Sequence, residues 1–339
     1  MVITMKKINA ILLMLIIAIS AFTGCEKAPV KTTSNEKDAA ITAGNSVMTV
    51  GELTGLVESI KLQMTQGLDE AALKEFWETE KDGKKPEEFI KDQAVEQATE
   101  LVIIAEIAAN NGITMTDQEV NAEISKNIPQ DQIKQLAEEY KMSVDSFNAV
   151  NKKQMIAQKY VSSLDGNPDM QPSDEALKTI FKEKYLKAQH ILKMTVDQQT
   201  GAPLPQEEKD KKKAEIEELL AKAKQPKQDF QTLMIENTED TGTQQQPEGY
   251  VFTEGVMVEE FYEAAVALKE NEISDIVETT YGYHFIKRLP LDVDKEFDEN
   301  RDAVVSQYKN DKITELLEEL KPTIPTVKND ALISGITVK

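Results

Sequence analysis

The segments KAQHILKM (187–194) and YGYHFIKRL (281–289) decide the reading of this chain, because each is a short apolar run carrying one of its only two histidines, His190 and His284. Side chains in a strand alternate between faces, so each histidine points one way and its immediate neighbours the other. If the two runs are adjacent strands, both imidazoles can converge on one side of a sheet. Two unrelated histidines, each satisfied in its own part of the core, fit these residues equally well.

Around them the chain alternates between sheet and helix. After the first run come a Pro/Gln loop at 198–206, a charged helix over 207–224, a second helix over 227–236 and a polar loop at 237–248. A strand near Tyr250 to Phe252, a helix over 259–268 and the runs ISDIVET and YHFIKRL, separated by Thr280-Tyr281-Gly282, complete a mixed unit of about a hundred residues. The lysine-rich stretch at 209–213 reads as a solvated helix face.

What flanks this unit is helical. ITAGNSVMTV (41–50) reads as a short strand and turn, and Thr49 with Glu52 has capping-box spacing, as do Thr116 and Glu119. A long helix is bounded by Pro86 and Asn111-Gly112, with Ile90, Ala94, Ala98, Leu101 and Ala105 on one face, and Ser143 opens another that runs through Tyr160 to Leu164. Asp165-Gly166-Asn167-Pro168 and Gln171-Pro172 break the pattern, after which Ser173 caps a short helix to about Tyr185. Beyond Pro290 the chain turns helical through Leu320, and Pro322 and Pro325 lead to ALISGITVK (331–339), which reads as a strand. Such a strand needs a partner, and the segment 41–50 is the natural one. The mixed unit is then an insertion between two parts of a helical domain.

The composition narrows the function. The chain has 339 residues, 40% hydrophobic and 29% charged, as expected of a soluble protein of about two domains. Its formal net charge of −21 repels polyanions, which argues against nucleic-acid binding. With one cysteine and two histidines, no intramolecular disulfide can form and zinc has almost no ligands, so no metal or cofactor is expected.

The N-terminus points to export. Lys6 and Lys7 precede an uncharged apolar run from Ile8 to Ala21, short for a membrane span and suited to a signal peptide. It ends in Phe22-Thr23-Gly24-Cys25, which resembles a bacterial lipobox, although Phe22 departs from the usual leucine. The expectation is a leader over 1–24, an acylated Cys25 as membrane anchor, and a flexible tether over 25–40. An ordinary secretory signal followed by an incidental cysteine is the plainer alternative.

The segment from Lys187 to Leu289 resembles the parvulin family of peptidyl-prolyl isomerases: AQHILKM resembles its opening histidine strand, DFQTLMIENTEDTGT its second helix and following turn, and GVMVEEFYEAAVALKENEISDIVETTYGYHFIKRL its closing half. With the acylated leader and flanking helices, the whole resembles the PrsA-type foldases and, more distantly, SurA-type chaperones. The resemblance implies an α+β protein: a helical SurA-like N-terminal domain over 41–183, completed by 292–339, and an inserted parvulin domain over 184–291 with a four-stranded antiparallel sheet surrounded by helices.

It also implies a site. His190 and His284 take the paired-histidine places, Asp240 falls where relatives carry cysteine or aspartate, and the histidines are expected to hydrogen-bond to each other. Met257 and Phe261 would floor a proline pocket, with Tyr250, Phe252 and Tyr281 completing the substrate contacts. Met257, Phe261, Ala265 and Leu268 also read simply as a helix core stripe. Where the family has Gly-Gly-Asp-Leu-Gly this chain has Gln246-Pro247-Glu248-Gly249-Tyr250, so Tyr250 or Val251 must replace the leucine. Asn271 replaces a helix-ending glycine, which the left-handed tolerance of asparagine permits. No basic cluster lies in 237–248, so no preference for phosphorylated substrates is expected.

The implied function is isomerisation of X-Pro bonds and chaperoning of unfolded or partly folded exported proteins, outside the cell and beside the membrane that Cys25 anchors, with the helical domain available for a homodimer. A catalytically weak holdase that only binds clients is the alternative. A solute-binding lipoprotein would share the lipobox but needs a two-lobed α/β pattern that this sequence lacks.

Overall fold

The computed structural model describes residues 36–80, 83–198 and 201–338. The expected leader, Cys25 and most of the tether lie outside the described residues. Among the described residues no helix is long and apolar enough to cross a membrane. The chain divides into two units, Met1–Met170 with Asp311–Lys339, and Gln171–Asn310.

In the first unit, Ala39–Ala43 (β1) and Ser46–Thr49 (β2) form an antiparallel hairpin. Thr49 then starts Val50–Thr65 (α1) by the reciprocal cap its spacing predicts: its hydroxyl accepts the Glu52 N–H while the Glu52 carboxylate accepts the Thr49 N–H. Glu70–Glu78 (α2), Pro86–Asn110 (α3), Asp117–Asn127 (α4), Gln130–Glu139 (α5) and Val144–Ser163 (α6) follow. The core forms where α3 packs against α1, α6 and the hairpin, burying Ile90, Ala94, Ala98, Val102 and Ile104 completely. Two buried carboxylates on α1 are neutralised from across the core. Lys153 lies 2.7 Å from Glu52, and Lys141 2.8 Å from Glu58. Losing Lys153 would leave Glu52 an uncompensated buried charge, whereas Glu58 is also paired with Lys61 of its own helix at 2.5 Å.

The C-terminal strand does pair with β1, but it is not the segment expected. Thr326–Lys328 (β7) aligns antiparallel with β1, giving a sheet of order β2-β1-β7. The following ALISG is a short helix, Asp330–Ser334 (α12). Asn329 overrides the local β propensity, because its side chain accepts the Leu332 N–H and caps that turn, while Ile333, Ile336 and Val338 are buried in the first unit's core.

The second unit opens with Asp174–Lys184 (α7), capped by Ser173, and then Leu186–Met194 (β3). Gln206–Ala223 (α8), Phe230–Asn237 (α9), Tyr250–Phe252 (β4), Glu259–Ala267 (α10), Val277–Thr279 (β5) and Gly282–Leu289 (β6) follow, and Val293–Leu320 (α11) leaves the unit. The sheet order is β4-β3-β6-β5, antiparallel throughout. Of ISDIVET only the last three residues pair as a strand. Asn271 is left-handed at φ 67° as expected, Ile273 makes a single bridge to Lys287, and Ser274 accepts and donates against the Ile286 backbone.

Alternation along β3 and β6 divides the unit into layers. Ile191, Tyr283 and Phe285 face α8 and α9, packing on Ile216, Phe230 and Met234. Leu186, Ala188 and Ile286 face α10, packing on Phe261 and Ala265. Fully burying such side chains stabilises by about 1.5–3 kcal/mol each, so both layers hold the strands in register. The start of α11 packs on α7 through Phe297, Phe181 and Tyr185, and a buried Lys187–Glu296 ion pair ties it to β3.

Gly282 fixes where β6 begins. Its φ is +146°, and a Cβ there would lie 2.2 Å from the Lys193 carbonyl oxygen. Gly282→Ala is expected to destabilise the second unit by at least about 2 kcal/mol, from backbone strain plus collision with β3, read as a lowered melting temperature.

Candidate active site

The pairing of β3 with β6 sets Leu192 opposite His284 and His190 opposite Ile286. The two histidines are therefore diagonal neighbours on one face of the sheet. Both are buried, and their ring centroids lie 5.4 Å apart with planes inclined by 51°. Phe261 on α10 meets both edge-on, at 5.1 Å from His190 and 5.6 Å from His284.

Each imidazole is engaged at Nε2. Thr279 Oγ1 lies 2.9 Å from Nε2 of His284 and also accepts the Tyr281 N–H at 3.1 Å. Asp240 Oδ2 lies 3.4 Å from Nε2 of His190. A carboxylate there favours the proton on that nitrogen, leaving Nδ1 with its lone pair. The expected hydrogen bond between the imidazoles is not formed. Nε2 of each faces a different partner, and Nδ1 of each is buried without one.

Asp240 is held from several sides. Its Oδ2 accepts the Tyr250 hydroxyl at 2.6 Å and the Thr243 hydroxyl at 2.9 Å, and its Oδ1 accepts the Gly242 N–H at 3.0 Å. The segment bearing it reaches His190 because β4 pairs only with 186–188, leaving the rest of that β3 edge open. Residues 238–240 fill it: Glu239 N–H donates to the Leu192 carbonyl, Thr238 Oγ1 accepts the Leu192 and Asp240 N–H groups, and the Glu239 carboxylate accepts the Met194 N–H.

Burial dominates the electrostatics. It pushes His190 down to about 4 despite the pull of Asp240. Burial, followed by the neighbouring His190, pushes His284 down to about 3. Both rings are thus neutral at neutral pH. Burial raises the Asp240 carboxyl, but hydrogen bonds from Tyr250, Gly242 and Thr243 together with His190 outweigh it and bring it below its ordinary value. Burial and the adjacent carboxylate push the Tyr250 hydroxyl up to about 12. Neutral rings beside an apolar ring can orient hydrogen bonds in a desolvated space, a role that needs neither a nucleophile nor proton exchange.

The structure brings His190, His284, Asp240, Phe261 and Tyr250 together. Met257 is half-buried in the α10 cluster, whereas Phe252 is buried and packs on Phe261 and Tyr262. The Tyr281 ring is exposed, and this residue acts through its backbone, donating to Thr279 and accepting from the Thr195 N–H. Of the two candidates for the missing leucine, Val251 packs in the α7–α11 cluster and Tyr250 lies on the histidine side. The sequence leads one to expect hydroxyls around Asp240 and the histidines without saying which, and they are Thr279 and Thr243. The signal for Thr279 is its pairing with Gly282, which sets it diagonal to His284 across the hairpin.

Known proteins share both parts of this architecture. Residues 190–289 match the rotamase family, described as a PPIC-type PPIase domain, and residues 3–161 match the SurA-like N-terminal domain. Foldase protein PrsA of Caldanaerobacter subterraneus subsp. tengcongensis is 28% identical over 291 residues, 83% of each chain. Foldase protein PrsA of Geobacillus kaustophilus is 28% identical over 245 residues, 70% of this chain and 75% of its own. A crystal structure of foldase protein PrsA from Streptococcus pneumoniae covers 74% of this chain and 93% of its own at 20% identity, with a TM-score of 0.33, too low to bear on the arrangement of the units. The chain carries a parvulin-type peptidyl-prolyl isomerase domain behind a SurA-like N-terminal domain, and over most of its length it is similar to the PrsA foldases.

Proposed function

We propose that this chain accelerates cis/trans exchange of X-Pro bonds in unfolded or partly folded exported proteins, working outside the cell beside the membrane to which an acylated Cys25 tethers it. The observation that carries this reading is the meeting of two buried, neutral imidazoles over Phe261, with Asp240 backing one and Thr279 the other. In it, residues 184–291 make up the isomerase, Met257 and Phe261 receive the proline ring, and the helical domain over 41–183 with 292–339 engages clients and offers a surface for self-association.

The chemistry asked of such a site is modest. An amide resists rotation by about 18–20 kcal/mol, and X-Pro bonds exchange unaided in tens of seconds or longer. Reaching about 10 turnovers per second requires lowering that barrier by roughly 3–4 kcal/mol. A desolvated apolar surface disfavours the dipolar planar amide, and fixed hydrogen-bonding groups favour the twisted one. The two unpartnered Nδ1 atoms supply unspent polar capacity within the buried site.

The purified full chain should catalyse exchange of a proline tetrapeptide, and His190→Ala or His284→Ala should each lower kcat/KM about tenfold or more, that is, by about 1.4 kcal/mol or more. A wild type that protects an unfolded client from aggregation but leaves the tetrapeptide's exchange rate unchanged would instead identify a holdase.

The histidines also set a pH dependence. Folded, they stay neutral down to about 4 and about 3, whereas unfolded they take up protons near their ordinary value of about 6.5. The unfolded state binds more protons below that point, so stability of the order of a few kcal/mol is present above about pH 6.5 and lost as pH falls through those folded values. The second unit's melting temperature should fall across that window, while turnover per folded molecule stays level through pH 6.5. An inflection in turnover there would show that a histidine changes charge within the folded site.

The anchor has a separate test. Cys25→Ser should move the protein from the membrane to the soluble fraction of its own cells, and an unchanged membrane fraction would remove lipidation from the reading.

A further inference from the structure

Tyr250 touches both members of the His190–Asp240 pair at once. It stands on β4 opposite Ala188, and its ring stacks on His190 at 5.7 Å with planes 26° apart. Its hydroxyl donates at 2.6 Å to Asp240 Oδ2, the oxygen that faces His190 Nε2. A residue that only walled a pocket would need no hydroxyl, and one that only filled the core would not direct it at the carboxylate behind the histidine.

Gly242 explains how the hydroxyl gets there. A Cβ on Gly242 would lie 2.5 Å from Tyr250 Oη, well inside van der Waals contact, and 3.6 Å from the ring carbon that bears it. The space above this glycine is therefore filled by the tyrosine hydroxyl, with Asp240 Oδ1 at its edge 3.3 Å from the same point. Its backbone lies outside the left-handed region, so an added methyl group tests that space without straining the chain. The Gly242 N–H meanwhile holds Oδ1 of the same carboxylate at 3.0 Å.

We infer that Tyr250 and Gly242 form one positioning unit, in which the tyrosine hydroxyl, seated over the glycine, aims the Asp240 carboxylate at His190. The inference deepens the isomerase reading and rests on it for its effect on turnover. Thr243 also donates to Oδ2, so removing the tyrosine hydroxyl frees the carboxylate to turn without stripping it of every partner. Neither Tyr250 nor Gly242 need touch substrate to matter, because both act through Asp240.

The test uses the full chain as wild type, Tyr250→Phe, Gly242→Ala and the double variant, with kcat and KM for a proline tetrapeptide. Histidine-selective 15N labelling is the second readout, since the chain has only two imidazoles to observe. Tyr250→Phe keeps the stacked ring and loses only the hydroxyl. It should lower kcat about fivefold to tenfold with KM little changed, and shift the His190 imidazole nitrogens. Gly242→Ala should do the same, and the double variant should be no worse than the poorer single one, because both changes act on the same hydroxyl–carboxylate contact. A Tyr250→Phe protein with wild-type kcat and unmoved His190 signals would overturn the inference. So would a double variant whose loss is the product of the two single losses. Should the wild type turn over no peptide, the isomerase reading falls, yet the His190 signals still decide whether hydroxyl and glycine act as one unit.

Discussion

The register of β3 against β6 is the constraint from which the rest of the site follows. With Leu192 opposite His284, the two imidazoles share a face and lie with their centroids 5.4 Å apart. A slip of one residue would turn His284 to the other face and bring Tyr283 or Phe285 in its place, because side chains alternate with a period of two. Both faces oppose that slip. Ile191 and Phe285 are locked under α8 and α9, Ala188 and Ile286 under α10, and Gly282 allows the end of β3 to approach where no side chain could.

Burial then determines what these histidines can do. An imidazole surrounded by Phe261, a second ring and an apolar sheet face loses the hydration that would support its charge, so its useful property is fixed geometry. Asp240 and Thr279 supply that geometry from outside the pair. Amide rotation suits such a site because it breaks no bond and the barrier to be removed is small. The surrounding layers are correspondingly ordinary: two helices on one face, one on the other, and an ion pair at the strand end.

Much of this was legible in the sequence where a local rule has a strong physical cause. Thr49, Thr116, Ser143 and Ser173 all cap the helices they announce, and Pro86 and Asn110 bound α3 as its apolar spacing implies. Asn271 adopts the left-handed conformation its chemistry tolerates. Features that depend on distant parts of the chain were not legible. The α5 helix starts after Pro129 without a side-chain cap, and α2 buries no residue, so neither leaves a clear mark. The β-branched ITVK end reads as a strand, yet its apolar residues serve the first unit's core after a helical turn. The histidine pair was visible, but the nitrogen each ring offers to which neighbour depends on loops that no periodicity describes.

The central claim is that both imidazoles border one proline-binding surface. Titrating an alanine-proline tetrapeptide into the full chain carrying 15N-labelled histidine tests it most directly, because each imidazole reports separately. The account predicts that His190 and His284 signals shift together along one saturation curve at pH 7, both retaining the neutral-ring pattern. Peptide binding that moves only one ring, or neither, would contradict it.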